Sequence, residues 1–313
     1  MDTRTIEEYG TCMVRPPDFD AFWEDVLAQA GAIPLDPTVE HVPLRSTPKV
    51  DVYEVRYTSL GGVRVASWYC VPVGCEGPLP AILRVPGYIG EPEVPKARAE
   101  AGYAVLSTAP RGKLRSNGQY NPGYPGLLTD NIVDRNTYAY RGFFIDAVRA
   151  FDFLMGRDEV DAQRIGVTGS SQGGGLTLVV SALREQVCAA AAGAPYLCGY
   201  MDAIELTHAY PYQEIRDYLR LYPDREPEVS ETLSYFDGIH FASRVTCPII
   251  VNVGLQDNVC PPETGYAAYR AIASEDKAMY PYEGYGHDAG GSEHAAVVDA
   301  FFKTHLNPIM PSG

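Results

Sequence analysis

The hydrophobic pattern of the chain begins with a helical stripe. In residues 16–30, PPDFDAFWEDVLAQA, the side chains of Phe19, Phe22, Trp23, Val26 and Leu27 fall three and four positions apart, behind two prolines and Asp18. That spacing places them on one face and predicts a leading amphipathic helix. The period then shortens to two. DVYEVRYTSL and VRVASWYCVPV alternate or run apolar, are rich in β-branched and aromatic residues, and are separated by Gly61 and Gly62. They predict an antiparallel hairpin.

From residue 79 onward short, nearly continuous apolar runs take over: PAILRV, GYAVLST, RIGVTGS, VCAAAAG, CPIIVNVG and KAMYPY. Strands covered on both faces read this way, because neither face needs polar side chains. Helical stretches lie between several of them, as in RGFFIDAVRAFDFLMGR and PETGYAAYRAIAS. Alternating strands and helices predict an α/β fold with a mostly parallel, doubly wound sheet. Residues 196–245 break the alternation with a tyrosine- and proline-rich, mainly helical insertion. Its place in the chain suits either a cap over the C-terminal edge of the sheet, where such folds bind ligands, or a packing and interface segment. The whole chain, 1–313, is expected to form one domain carrying that insertion.

Composition narrows the function classes. Hydrophobic residues at 46% and charged residues at 21% belong to a soluble globular protein. Twenty-five basic against 40 acidic side chains leave a net charge of −15, which repels nucleic acid and anionic lipid. Seven scattered cysteines, odd in number and without a C-x-x-C pair, read as reduced thiols. The first twenty residues lack a basic flank and apolar core, and no stretch approaches a membrane span, so a cytoplasmic location is expected. A secreted chain numbered after signal removal would read the same.

The chemistry centres on RIGVTGSSQGGG. Gly169-Ser170-Ser171-Gln172-Gly173 matches G-x-S-x-G between a buried strand and a helix, LTLVVSALRE. The pattern by itself arises by chance in about one chain in ten of this length, so its setting has to decide. Strand, sharp turn and helix are the setting in which this pattern projects a serine hydroxyl in α/β-hydrolase folds. A serine needs a histidine base and a carboxylate to orient it, in the chain order Ser, Asp or Glu, His. Asp257 ends the run PIIVNVGLQD and His287 lies in YEGYGHD after the last strand run. Glu263 and Glu283 are the competing acids, and Asp257 could instead be a turn-forming aspartate. His41, His208, His240, His294 and His305 do not sit at strand ends, and His287, Asp288 and His294 do not match a common metal spacing. Donors for an oxyanion are expected from the backbone N–H of Gln172 and of Tyr88 in RVPGYIG.

These residues sit within longer motifs: RPPDFDAFWEDVLAQA, PGYIG, RGK at 111–113, PGLLTDNIVDRNTYAYRGFFIDAVRAFDFL, GVTGSSQGGG, ETLSYFDGIHFASRV, VGLQDNVCPPETGYAAY and YEGYGH. Nearly the whole chain resembles carbohydrate esterase family seven, the acetyl xylan esterases and cephalosporin C deacetylases. The resemblance implies a serine esterase that removes acetyl groups from small acetylated sugars and cephalosporin-type esters through an acyl-enzyme. It implies no metal or organic cofactor, and a homo-oligomer in the form of a hexameric ring. It assigns Ser171, Asp257 and His287 as the triad, and Tyr88 and Gln172 as backbone oxyanion donors. Two positions depart from it: Lys113 replaces a glutamine, and Asp288 replaces a glutamate. Both are expected to be supports near the site. A carboxylesterase for larger acyl groups, a peptidase, and a binding protein without turnover remain rival readings of the same residues.

Overall fold

The computed structural model describes residues 6–310. The first five residues of the N-terminal stretch read for a leader lie outside them. The described residues form helix α1 (Phe19–Gly31), strands β1 (Thr38–His41), β2 (Val50–Thr58), β3 (Arg64–Pro72) and β4 (Leu79–Arg84), then α2 (Lys96–Glu100) and β5 (Ala104–Ala109). Next come α3 (Ala139–Met155), β6 (Val160–Ser170), α4 (Gln172–Leu183) and β7 (Ala189–Gly193). The insertion holds α5 (Tyr200–Leu206), α6 (Tyr212–Leu221), α7 (Glu226–Ser234) and α8 (Gly238–Ala242). The chain closes with β8 (Ile249–Gly254), α9 (Pro262–Ala271), β9 (Lys277–Tyr282) and α10 (Gly291–Leu306).

All nine strands form one sheet in the order β1-β2-β3-β5-β4-β6-β7-β8-β9. The expected hairpin is β2 and β3, paired antiparallel from Val50↔Pro72 to Thr58↔Arg64. From β5 across to β9 every pairing is parallel. Strand β1 was not foreseen. Its four residues, TVEH, are largely exposed and pair only with β2, so no apolar alternation marks it. A short polar edge of this kind also resists adding a further strand.

Why the apolar runs are continuous is plain in the core. Ala81, Leu83, Ala104, Leu106, Ala190, Ala192, Ile249 and Val251 pack on one face, with α1, α3 and α4. Their neighbours Ile82, Val105, Ala189, Ala191 and Ile250 pack on the other, with Val298, Phe302 and Leu306 of α10. Successive side chains of a strand point to opposite faces, so a sheet covered twice needs apolar residues at every position. At Gly166 of β6 a Cβ would lie 2.6 Å from the Phe302 ring, so the missing side chain is what lets α10 close down.

Helix α1 brackets the insertion to this body. Trp23 is fully buried, donates its indole N–H to Tyr235 O at 2.8 Å, stacks on Phe144 of α3 and meets Phe236 and Phe241 edge-on. Aromatic pairs in these geometries add to the burial of their area.

The loop after β5 is fastened differently. Arg111 grips Asp146 of α3 through Nε and Nη2, each at 2.8 Å, and Asp146 is fully buried. The guanidinium passes so close to α3 that a Cβ at Gly142 would lie 2.1 Å from Nη1. Removing one partner of a buried pair strands the other charge, which costs about 3–5 kcal/mol. Asp146→Ala is therefore expected to lose about that much stability in urea unfolding; a loss under about 1 kcal/mol would show that Arg111 finds water or another acceptor.

Candidate active site

Ser171 stands alone between β6, which ends at Ser170, and α4, which begins at Gln172. Its φ of 60° and ψ of −123° are a conformation that a residue with a side chain rarely adopts. The surrounding backbone holds it there. Ser171 N–H donates to Gly193 O at 2.9 Å, while Ser171 O accepts from Tyr196 N and Gly175 N.

The glycines of the motif are explained by closeness. A Cβ at Gly169 would lie 2.6 Å from Val85 O, and one at Gly173 2.5 Å from the same oxygen. At Gly174 and Gly175 the obstacles are Gly193 O at 2.2 Å and Tyr196 O at 2.1 Å. The turn is wedged between the ends of β4 and β7 with no room for a side chain at any of these four glycines.

Asp257 and His287 arrive on two loops laced together. Leu255 N donates to Tyr282 O and Gln256 N to Tyr285 O, each at 3.0 Å. At Gly254 a Cβ would meet Gly286 O at 2.0 Å, so the histidine loop lies directly on the end of β8. Asp257 is buried. Its Oδ1 accepts from Val259 N at 2.8 Å and Cys260 N at 2.9 Å, and its Oδ2 faces His287 Nδ1 at 2.8 Å. The turn-forming aspartate and the histidine's partner are thus the same residue, one carboxylate oxygen for each task. Glu263 is buried in the first turn of α9, and Glu283 is exposed.

The other histidines are engaged elsewhere: His41 with Ser46, His208 with Arg216, His240 with Ser234 O, His294 with Tyr282, and His305 against the Phe301 ring. Burial pushes His294 down to about 4, which keeps its ring neutral.

Ser171 and His287 open into one cavity of about 400 Å³, lined also by Tyr88, Tyr124, Pro125, Pro211, Glu214 and Val259. Ser171 Oγ lies 3.9 Å from Cys260 Sγ and makes no hydrogen bond to the His287 ring. Neither Tyr88 N–H nor Gln172 N–H donates to any described residue. Asp257, Cys260 and His287 present potential ligand atoms within 4.8 Å of one another. Hydrogen bonds already claim both carboxylate oxygens, and burial pushes the Cys260 thiol well up, which disfavours the thiolate a metal would bind.

Sequence reasoning had not placed Cys260, Glu214, Tyr124 or Pro211 here. Glu214 reaches in from α6 of the insertion, accepting hydrogen bonds from Tyr88 Oη and from Gly126 N at 2.9 Å. Its burial pushes the carboxyl up from the usual range. A second cavity of about 500 Å³ lies behind the turn, lined by Arg84, Arg98, Ser170, Asp288 and His294, and does not include Ser171.

The sequence profile of the acetyl xylan esterases (AXE1) matches residues 1–306. The chain belongs to that family. Acetyl esterase Axe7A of Xylanibacter ruminicola is 30% identical over 282 residues, which are 84% of this chain. The match covers 62% of Axe7A, so the chain spans less than two thirds of that relative. An acetyl xylan esterase from Paenibacillus sp. superposes with a TM-score of 0.91 at 34% identity, covering 98% of this chain and 100% of that one. Acetyl xylan esterase 1 from Thermoanaerobacterium sp. gives 0.85 at 30%, covering 96% and 98%. The fold is that of the α/β hydrolases.

In this acetyl xylan esterase family member the two departures differ in kind. Asp288 is exposed, whereas Lys113 is fully buried against the Tyr88 loop. The wedge at Ser171 is open to test through Gly173→Ala, whose new methyl must push on Val85 O. The variant should lose about 1–3 kcal/mol in urea unfolding and most of its ester hydrolysis; parent-like values for both would show that the turn has slack.

Proposed function

We propose that this chain is a serine esterase that removes O-acetyl groups from small acetylated sugars, xylo-oligosaccharides among them, and from cephalosporin-type acetyl esters. Ser171 attacks the acetyl carbonyl, and His287, oriented by Asp257, takes the serine proton and returns it to the departing oxygen. The tetrahedral oxyanion sits between the N–H groups of Tyr88 and Gln172. Water then attacks the acyl-enzyme and frees acetate, with no metal or organic cofactor. One observation carries the reading: a serine at positive φ and a histidine paired with a buried carboxylate line the same small cavity, which Tyr88 also lines. The acetyl specificity is carried over from the acetyl and acetyl xylan esterases that the chain resembles.

The insertion acts as a cap in this reading, since Tyr210, Pro211 and Glu214 wall the cavity opposite Ser171. The seven free thiols support a reducing, cytoplasmic setting. No helix among the described residues is long and apolar enough to cross a membrane. The resemblance points to a homo-oligomer, a hexameric ring, and exposed Ile89 and Tyr210 at the cavity mouth are apolar surface that such an assembly would cover.

The cavity's apolar lining, with Ile89, Pro125, Pro211 and Val259, also favours a second reading, an esterase for longer acyl groups. Both are decided by following acid release from acetylated xylo-oligosaccharides, cephalosporin C and butyrate or longer esters, with Ser171→Ala beside the parent. Acetate release that falls by about 10³-fold or more in a folded Ser171→Ala is expected. An unchanged rate in that variant removes Ser171 from the mechanism, and a preference for longer acyl groups replaces the acetyl assignment.

A further inference from the structure

Lys113 is a fully buried cation whose contacts form a pattern. Its Nζ donates to Gly87 O at 2.8 Å, to Tyr88 O, and to Gly90 O at 3.0 Å, while the ammonium lies 5.0 Å from the centre of the Tyr124 ring. An ammonium has three N–H donors, and all three go to carbonyls of one loop. That loop carries the Tyr88 N–H. Gln172 adds a fourth bond, Nε2 to Gly87 O at 3.2 Å, and its own Oε1 is held by Tyr140 Oη at 2.7 Å.

Gly87 O and Tyr88 N–H belong to one peptide unit. The bond is planar and trans, so oxygen and hydrogen point in opposite directions across it. Two donors on the oxygen therefore fix the aim of the N–H on the far side. A charge-assisted bond also draws electron density toward the oxygen, which leaves the N–H a stronger donor. We propose that Lys113 is a positioning residue for the esterase reaction, fixing and polarising the Gly87–Tyr88 peptide so that the Tyr88 N–H serves as an oxyanion donor. The inference rests on the serine-esterase reading above.

Burial pushes the Lys113 ammonium down to about 8. Glu91, the charged group facing it from the same loop, favours the cation. Tyr88 and Tyr124 are pushed up by burial and stay neutral through this range, and Glu214 bonds Tyr88 rather than the lysine. As pH rises through about 8, Lys113 loses its charge and one donor, and the acetyl-transfer rate should fall. Stability moves the other way for this group. Its folded value lies below the ordinary 10.5, so between about 8 and 10.5 the unfolded chain binds more protons and rising pH favours the fold. An alkaline loss of rate from Lys113 is therefore not an unfolding event.

The test is the steady-state hydrolysis of 4-nitrophenyl acetate from about pH 6 to about pH 10, corrected for spontaneous hydrolysis, in the full-length parent, Lys113→Met, Lys113→Gln and Ser171→Ala. An interaction made in the transition state shows in kcat rather than KM. Lys113→Met should lower kcat by about 10- to 100-fold with KM within about threefold, and Lys113→Gln should fall between it and the parent. The parent should lose kcat on an alkaline limb near 8 that both variants lack. A folded Lys113→Met with kcat within about twofold of the parent, or with the alkaline limb intact, overturns the proposal. If Lys113→Met does not fold, the same two criteria applied to Lys113→Gln decide. Ser171→Ala separates the two levels: its inactivity upholds the serine mechanism whatever Lys113 does, and its activity sinks the mechanism itself.

Discussion

Everything at the site hangs on how tightly one backbone turn is packed. Ser171 is held at positive φ because the chain on either side of it has no volume to spare: Val85 O presses on both Gly169 and Gly173, and Gly193 O and Tyr196 O press on Gly174 and Gly175. Strain of this kind costs of order 1–3 kcal/mol and persists only where its surroundings over-determine it. Here the over-determination comes from the sheet. Strands β4 and β7 flank β6, and their ends supply the oxygens that confine the turn. Ser170 lines the second cavity and the Gln172 side chain is spent on Gly87 and Tyr140, which leaves Ser171 to line this one.

That constraint propagates outward through backbone rather than through flexible side chains. Gly254 lets the histidine loop rest on β8, so the separation of Asp257 and His287 is set by main-chain hydrogen bonds. Gln172, immediately after the serine, is fully buried and spends its side chain on Gly87 and Tyr140. One residue thus offers a free N–H on its own backbone and holds the loop that offers the other. Arg111 and Asp146 fix the turn that carries Lys113, which in turn holds the Tyr88 loop. Each support is rigid because the next one is buried.

Much of this was legible from sequence, for identifiable reasons. The strand runs were readable because burial on both faces leaves no polar positions, and α1 because Phe19, Trp23 and Val26 all turn inward. The places of Ser171, Asp257 and His287 at strand ends were readable because chain order and strand ends are properties of topology. What escaped were features that depend on distant packing. Strand β1 has no apolar signature. Glu214 is an acidic residue in a polar helix until α6 brings it against Tyr88 across 126 positions of sequence. Lys113 was expected to be a support near the site, but only the folded loop shows three carbonyls converging on it. Cys260 could have been suspected from its place three residues after Asp257, since an aspartate that closes a turn brings that residue's backbone to its own side chain.

The Tyr88 loop also joins two tasks that are often kept apart. The loop lines the cavity together with Ser171, and the Tyr88 hydroxyl is tied to Glu214 on the insertion. Lys113 holds the loop by its carbonyls and Glu214 holds it by a side chain, so two separate elements grip it at different points. A change in α6 that reshapes the cavity must then pull on the peptide beside the serine. On the proposed mechanism, selection of the acyl or alcohol part of a substrate and stabilisation of its oxyanion are mechanically coupled through one residue. In a protein whose net charge is −15, the buried ammonium is placed, on the inference above, where its positive charge strengthens a donor.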